Sequence, residues 1–235
     1  RFEARQAVTD LVVATNVLRE AITLTPEGSD DWVGWHLNLG ATLAEFGQAT
    51  ERAQPLEEAL RVLESVAGRD DLEPMLEYSI ASSLANAMLS YGEMIGVADT
   101  VAKAAASFDR LSTCGLGDLQ RASALYGKAR AIRTLYGLTG KRTYLDESIK
   151  LYSDALALHG KETSDALMCL NGLMLAIRQR AAYDVKSADQ VESMFEGILS
   201  NASGNEWPRF MAGAAENLGD YFGAKGDFAR SRRAY

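Results

Sequence analysis

The stretch Tyr136–Leu158, YGLTGKRTYLDESIKLYSDALAL, predicts the fold because it contains a complete helical turnaround. Its first residues end one helical run, and Gly140 opens a Gly-Lys-Arg-Thr turn. After the turn, apolar side chains recur at the three- and four-residue spacing of an amphipathic helix. The stretch therefore predicts two consecutive helices joined by a short turn.

The same helical pair recurs along the whole chain at a nearly constant interval. In the first helix of each pair, Phe46, Tyr91 and Tyr136 lie 45 residues apart, and each is followed by a glycine. In the second helix, aligned apolar or aromatic residues follow one another at intervals of 45, 45, 44 and 43: Leu18, Leu63, Phe108, Tyr152 and Phe195. A fixed period of this size is typical of a helical-hairpin solenoid.

The last copy of the unit, NLGDYFGAKGDFARSRRAY over 217–235, resembles the tetratricopeptide repeat. The residues that carry the resemblance are Leu218-Gly219, Phe222, Gly226-Asp227, Ser231 and Tyr235. Earlier units are longer, since Gly40 lies 19 residues before Ala59 whereas Gly219 lies 12 before Ser231. The resemblance implies an all-α, right-handed superhelix of about five hairpins.

The longer unit, as in Tyr136–Leu158, looks like the tetratricopeptide-like units found beside CHAT protease domains and in NTPase-linked signalling proteins. We interpret residues 1–235 as one repeat domain and, because the chain starts at Arg1, as a fragment of a larger protein. The predicted units lie near 5–31 (a half unit), 32–74, 75–119, 120–163, 164–206 and 207–235 (incomplete).

Helix boundaries are predicted from breakers and caps. The first three helices are expected at Val12–Leu24, Trp32–Phe46 and Pro55–Val66. Asp30 or Asp31 is the expected N-cap of the second helix. Asp118, which follows the Gly115-Leu116-Gly117 turn, is the expected cap of a later one.

Composition and charge indicate a folded, cytoplasmic protein without a membrane or nucleic-acid partner. The chain is 47% hydrophobic, has 4 prolines, and lacks the run of roughly 18 apolar residues that a membrane helix needs. Its net charge is −8, and residues 1–100 contain 17 acidic against 6 basic residues. Such an acidic surface does not suit phosphate binding. Two distant cysteines favour a reducing compartment.

We find no catalytic or metal-binding constellation in the sequence, and therefore predict a non-enzymatic protein without a cofactor. His36 and His159 lack a second ligand at metal spacing. His36 is expected to be packed and hydrogen-bonded, and Cys169 to be a small core residue. Cys114 and His159 both fall near hairpin ends, where a nucleophile and base pair is not expected.

The resemblance implies that the first helices line a concave groove and contact a ligand. The position two residues before the small residue is Asn38, Ser83, Lys128, Asn171 and Asn217 in the five units. Asparagine offers donors and an acceptor that can hold an extended peptide backbone. Lys128 and Arg178 would favour an acidic ligand segment, and Lys128 is the expected selective position. A structural role for the asparagines, within the neighbouring hairpin, is the alternative.

The predicted function is a non-catalytic scaffold or regulatory repeat domain that binds a protein or peptide through the concave groove. It would belong to a larger signalling or protease-associated protein. Two alternatives stay open. The first is self-association, or docking onto an attached domain of the same protein. The second is a helical domain that senses a small molecule, which would need a closed polar pocket.

Overall fold

The computed structural model describes residues 2–159, 164–184 and 226–234, together with residues 193, 219, 222 and 223. Over these residues the chain is all-α and contains no strand, which confirms the predicted class. The helices are α1 (Phe2–Leu24), α2 (Asp30–Thr50), α3 (Ala53–Glu64), α4 (Pro74–Ile95), α5 (Ala98–Leu111), α6 (Asp118–Thr139), α7 (Thr143–Leu158) and α8 (Ser164–Ala181), followed by a short helix, Phe228–Ala234.

The helices pack in chain order. Each of α1 to α7 contacts the next one, and the helices α2, α4, α6 and α8 also contact one another in turn. We call these four the first helices, and α1, α3, α5 and α7 the second helices. Leu56 packs at Gly47 and Leu63 packs at Gly40, so α2 and α3 run antiparallel. The first helices therefore form a continuous row with the second helices beside it.

The core is built from large second-helix side chains that lie on glycines of the first helices. Leu63, Phe108 and Tyr152 are at most 1% exposed. They occupy the space where side chains would stand at Gly40, Gly127 and Gly172, respectively. The second-helix repeat read from the sequence is therefore a repeat of core positions. Its last member, Phe195, lies outside the described residues.

The aromatic–glycine register of the first helices is wrong in its third copy. Gly47 and Gly92 are buried, and a Cβ on either would collide with Leu56 or Val101 of the following helix. Gly137, by contrast, is exposed and has no neighbour within 4 Å of such a Cβ. Gly47 and Gly92 each lie nine residues before the core residue that they contact, Leu56 and Val101. The corresponding core residue of α7 is Leu145, and the residue nine positions before it is Tyr136, not Gly137. The register thus shifts by one residue in α6.

The turn predicted within Tyr136–Leu158 is confirmed, whereas two predicted caps are wrong. α6 ends at Thr139, Gly140 has a left-handed φ of 69°, and α7 starts at Thr143. The N-cap of α2 is Ser29, whose Oγ accepts a hydrogen bond from the Trp32 N–H (3.2 Å); Asp30 already belongs to the first turn. An Asp at that position meets the positive end of the helix dipole instead of capping it.

Asp118 is likewise the first residue of α6 and not its cap. The preceding residue, Gly117, takes the cap position with a φ of 118°, a conformation that favours glycine. The turn predicted at Gly115 is present, and Gly28, Gly68 and Gly115 all have positive φ angles.

The division into units stays a prediction, and the helix starts can be set beside it. The first helices begin at Asp30, Pro74 and Asp118, within two residues of the predicted unit starts at 32, 75 and 120. In the last copy, the Ser231 hydroxyl donates to the Gly219 carbonyl oxygen (2.9 Å), so the two residues matched by the repeat resemblance are in contact. About half of the unit at 164–206 and more than half of the unit at 207–235 lie outside the described residues.

Candidate functional site

The outward side of the first helices is the candidate binding surface, and we call it the first-helix face. On α2 it exposes Asn38 and Trp35, the latter with 36% of its surface accessible. Asn38 lies nine residues before Gly47, which is about 2.5 turns and therefore the opposite side of the helix. Because Gly47 faces α3, Asn38 points away from α3.

Side-chain hydrogen bonds connect neighbouring first helices. Gln48 Nε2 of α2 donates to Ser90 Oγ of α4 (2.8 Å). Asn86 of α4 donates through Nδ2 to the Ser82 carbonyl oxygen (3.0 Å) and accepts at Oδ1 from Arg130 Nη1 of α6 (3.5 Å). The amide of Asn86 thus links α4 to the basic part of α6.

Arginine and tyrosine side chains form a cluster where α6 meets α7 and α8. The Arg130 guanidinium lies 5.9 Å from the Tyr126 ring centroid, within the range of a cation–π contact. The Tyr126 and Tyr152 rings are 5.9 Å apart and tilted by 59°. Burial raises the pKa of both tyrosine hydroxyls, and nearby arginine charges oppose the shift. Both hydroxyls therefore stay protonated at neutral pH.

Two buried polar atoms of this cluster lack a partner among the described residues. They are the Tyr152 hydroxyl and Nε of Arg133. The positive charge of Arg133 acts to lower the pKa of Tyr152, against the larger effect of burial, so the two groups are close. The Arg133 side chain approaches the hydroxyl closely enough to lower its pKa as a hydrogen-bond donor would, but the contact falls short of full hydrogen-bond geometry. Most buried polar groups in folded proteins are hydrogen-bonded, so this pair is unusual.

The residues predicted to line the groove differ in their exposure to solvent. Asn38 is exposed, and Ser83 of α4, Asn171 of α8 and Arg178 of α8 are partly buried. Asn171 and Arg178 have polar partners of their own. Asn217 lies outside the described residues. A ligand contact by these residues stays a prediction.

Lys128 does not lie on the first-helix face. Its Nζ is 2.8 Å from Asp109 Oδ1 of α5 and 3.9 Å from Glu147 Oε1 of α7. Lys128 therefore points between two second helices and is already paired. Arg130, two residues later, lies on the opposite side of α6, because residues two apart do not share a helix face. The cation on the outward side of this unit is Arg130.

Five residues of the cluster were not candidates in the sequence analysis, namely Asn86, Tyr126, Arg130, Arg133 and Tyr152. Tyr152 was recognised as a core position, but its polar end was not considered. A usable signal was present, since Gly172 follows Tyr152 by 20 residues and Gly127 follows Phe108 by 19. A glycine at that interval makes room for the aromatic ring of the preceding helix.

The predictions that His36 is packed and hydrogen-bonded and that Cys169 is a core residue are confirmed at the structural level. His36 stacks near Trp32, with ring centroids 3.8 Å apart, and its Nδ1 donates to the Trp32 carbonyl oxygen (2.8 Å). Cys169 is 1% exposed, and burial raises the pKa of its thiol to about 12. The described residues contain no group of three or more His, Cys, Asp or Glu arranged to hold a metal ion.

Two surface cavities lie away from the cluster. One, of about 200 Å³, lies between α1 and the α2–α3 pair, next to the ion pair of Arg19 and Glu58 (2.6 Å). The other, of about 430 Å³, surrounds the α5–α6 turn and includes Cys114 and Arg121. None of the helices that the structure describes combines the length and the apolarity required to cross a bilayer.

Comparison with known proteins supports the fold alone. No family model matches the chain, and no match is found among curated proteins. The chain is similar to the crystal structure of BtubC (BKLC) from P. vanneervenii, with a TM-score of 0.56 and 16% sequence identity, over 98% of this chain and 87% of that one. This likeness agrees with the all-helical architecture. The tetratricopeptide resemblance stays a prediction.

Proposed function

We propose that the chain is a tetratricopeptide-like scaffold that binds a protein or peptide segment through the first-helix face. The observation that carries the proposal is the continuous row of first helices whose outward side leaves Trp35 and Asn38 exposed. An aromatic ring and an amide suit a peptide, since the ring offers apolar area and the amide pairs with backbone groups.

The finer architecture belongs to the same proposal. In a right-handed superhelix of hairpins, the first-helix face becomes the concave groove, and repeat arrays of this kind commonly bind partners there. The long-unit resemblance favours a regulatory region within a larger signalling or protease-associated protein. The fold likeness to BtubC supports the helical arrangement and adds nothing on the ligand.

A peptide-display selection tests the proposal. The immobilised chain is used to enrich peptides from a random library, and the best one is measured against the variant Trp35→Ala/Asn38→Ala. We expect that variant to weaken binding by about tenfold or more, in line with the loss of an aromatic anchor. The matched control is Arg61→Ala/Lys103→Ala, which truncates two exposed second-helix side chains.

The control variant is expected to bind within about twofold of wild type, since it changes no contact of a first-helix ligand. Thermal unfolding of all three proteins shows whether the variants remain folded. A selection that enriches no peptide contradicts the proposal. The proposal is also contradicted if an enriched peptide binds the Trp35→Ala/Asn38→Ala variant as tightly as it binds wild type.

Self-association is a second candidate, favoured by the open side of α1. Val13, Val17 and Leu24 are 56%, 58% and 78% exposed, respectively. Exposed apolar side chains along one helix often mark an interface. Light scattering over a concentration series tests this candidate, with Val13→Asp/Val17→Asp as the variant. A mass that rises with concentration in wild type, but not in the variant, would support it, whereas a constant monomer mass excludes it.

A further inference from the structure

Tyr152 reaches from α7 to the row of first helices. The side chain is fully buried, and a Cβ at Gly172 of α8 would lie 2.9 Å from its hydroxyl oxygen. Its ring also packs near Tyr126 of α6. The glycine therefore lets the phenol end between α6 and α8, within the row of first helices.

The Tyr152 hydroxyl and Nε of the neighbouring Arg133 both lack a hydrogen-bond partner among the described residues. Both atoms are buried. A buried donor or acceptor without a partner destabilises the folded state. Two such atoms on neighbouring side chains are complementary, because Nε–H is a donor and the hydroxyl oxygen can accept.

The cluster around Tyr152 contains two arginines that form no ion pair within the part of the chain that the structure describes. Arg130 and Arg133 are partly exposed, and neither forms a salt bridge to a described carboxylate. Asp165 of α8 borders the cluster on the side of Tyr126 and has a polar partner of its own. A guanidinium presents a planar fork of donors that matches the two oxygens of a carboxylate.

We propose that Arg130 and Arg133 bind a carboxylate group of an acidic peptide segment, with the Tyr152 hydroxyl as a positioning group behind Arg133. In the bound state Arg133 turns so that Nε–H donates to the Tyr152 oxygen, while its terminal nitrogens face the carboxylate. Arg130, held by Asn86 and Tyr126, binds the second oxygen or the next carboxylate. This inference rests on the proposed peptide-binding function and names the chemistry of the ligand.

Fluorescence polarisation with synthetic peptides tests the site. The probe is a fluorescein-labelled hexaglutamate with an amidated C-terminus, and hexaglutamine with an amidated C-terminus is the neutral comparison. The site variant is Arg130→Gln/Arg133→Gln. The control, Arg61→Gln/Arg121→Gln, removes the same charge from exposed positions outside the cluster. We expect the site variant to weaken hexaglutamate binding by about tenfold or more, and the control by less than about threefold.

A third peptide, hexaglutamine with a free C-terminus, separates a chain-end carboxylate from side-chain carboxylates. Binding of this peptide that depends on Arg130 and Arg133 supports the site and assigns the carboxylate to the chain end. Binding of the amidated hexaglutamate alone assigns it to acidic side chains.

Tyr152→Phe distinguishes positioning from a purely structural role. We expect about fivefold weaker hexaglutamate binding, whereas the midpoint of thermal unfolding stays equal or rises, because an unsatisfied hydroxyl is removed. Equal weakening by the site and control variants would overturn the proposal, as would hexaglutamate that binds no better than hexaglutamine. Either result would overturn only the arginine site. The proposed peptide-binding function is tested separately, by the peptide selection with the Trp35→Ala/Asn38→Ala variant.

Discussion

Phe108 of α5 fills the space that a side chain at Gly127 of α6 would occupy. An ideal Cβ on Gly127 would lie 2.7 Å from Phe108 Cζ, too close for any real contact. Phe108 is 1% exposed and cannot move aside into solvent. The close approach of α5 and α6 therefore depends on the absence of a side chain at residue 127.

Gly127→Ala is expected to lower the free energy of unfolding by about 1–3 kcal/mol, because the methyl group overpacks the core. Gly137→Ala is the control on the same helix, since Gly137 is exposed and has an open Cβ position. That change should raise stability by about 0.5–1 kcal/mol through helix propensity. Urea unfolding of both variants measures the difference, and equal effects would contradict the packing argument.

Ser29→Ala is expected to destabilise the protein by about 1 kcal/mol, because the cap of α2 is lost. Asp30→Asn should cost less, about 0.3 kcal/mol, since it removes only a favourable charge near the helix N-terminus. Ser29→Asn, which retains a capping side chain, serves as the control and should be close to wild type. A larger loss of stability for Asp30→Asn than for Ser29→Ala would show that Asp30, and not Ser29, caps the helix.

Tyr152→Phe and Tyr78→Phe are expected to differ in stability although both remove a tyrosine hydroxyl. The Tyr78 hydroxyl donates to the Gln120 carbonyl oxygen (2.6 Å), so its removal should cost about 1 kcal/mol. The Tyr152 hydroxyl has no partner among the described residues, so its removal should cost nothing or stabilise the protein. Thermal unfolding of the two variants decides the point, and a clear loss for Tyr152→Phe would show that its hydroxyl is bonded.

The two cysteines should react differently with a thiol reagent at pH 8. Cys114 is exposed, whereas Cys169 is buried and its thiol pKa is raised to about 12. The reagent should therefore modify about one cysteine per chain in the folded protein and about two in the unfolded protein, because the thiolate is the reactive form. Cys114→Ser should abolish the reaction of the folded protein. Two equivalents under native conditions would contradict the burial of Cys169.

The same shift predicts a dependence of stability on high pH. The ordinary thiol pKa is 9.0, so between pH 9 and about 12 the unfolded state loses the Cys169 proton while the folded state retains it. Stability from this group is fully present below pH 9 and falls as the pH rises through that window. Cys169→Ala, compared with wild type across the window, should show a shallower decline of the unfolding free energy.

Lys128→Gln tests where the basic residues of α6 point. The lysine pairs with Asp109 and Glu147, whose side chains are 61% and 46% exposed, so its loss should cost at most about 1 kcal/mol. Hexaglutamate binding should stay within about twofold of wild type, because Lys128 is on the other side of α6 from Arg130. A tenfold loss would place the acidic ligand among the second helices.

The repeated helical pairs and their core positions were predictable because both depend on local signals. Apolar spacing identifies a helix, glycine identifies its end, and the spacing of Leu63, Phe108 and Tyr152 identifies the buried side of each second helix. The cap of α2 was predicted one or two residues late, since Ser and Asp are both good caps and only the Ser29–Trp32 hydrogen bond distinguishes them.

The candidate site was less predictable because it depends on rotation about the helix axis. Each residue turns a helix by about 100°, so a register that is wrong by one or two residues moves a side chain to another face. The sequence pointed to Lys128 as the cation of this unit, whereas Arg130 lies on the outward side. The polar role of Tyr152 was not predicted for a different reason. Its place in the repeat identifies it as a core residue but does not indicate which groups its hydroxyl approaches.

By itself, the sequence determined an all-α chain of repeated helical pairs, because helix formation and its interruption depend on neighbouring residues. Only the tertiary structure decided which side of α6 faces outward and which polar atoms remain unpaired. Those properties arise where Phe108 and Tyr152 lie on Gly127 and Gly172, which sets the rotation and distance between helices. The glycine spacing of about 20 residues marks where a ring can fit, whereas the direction of its polar end depends on how the helices pack.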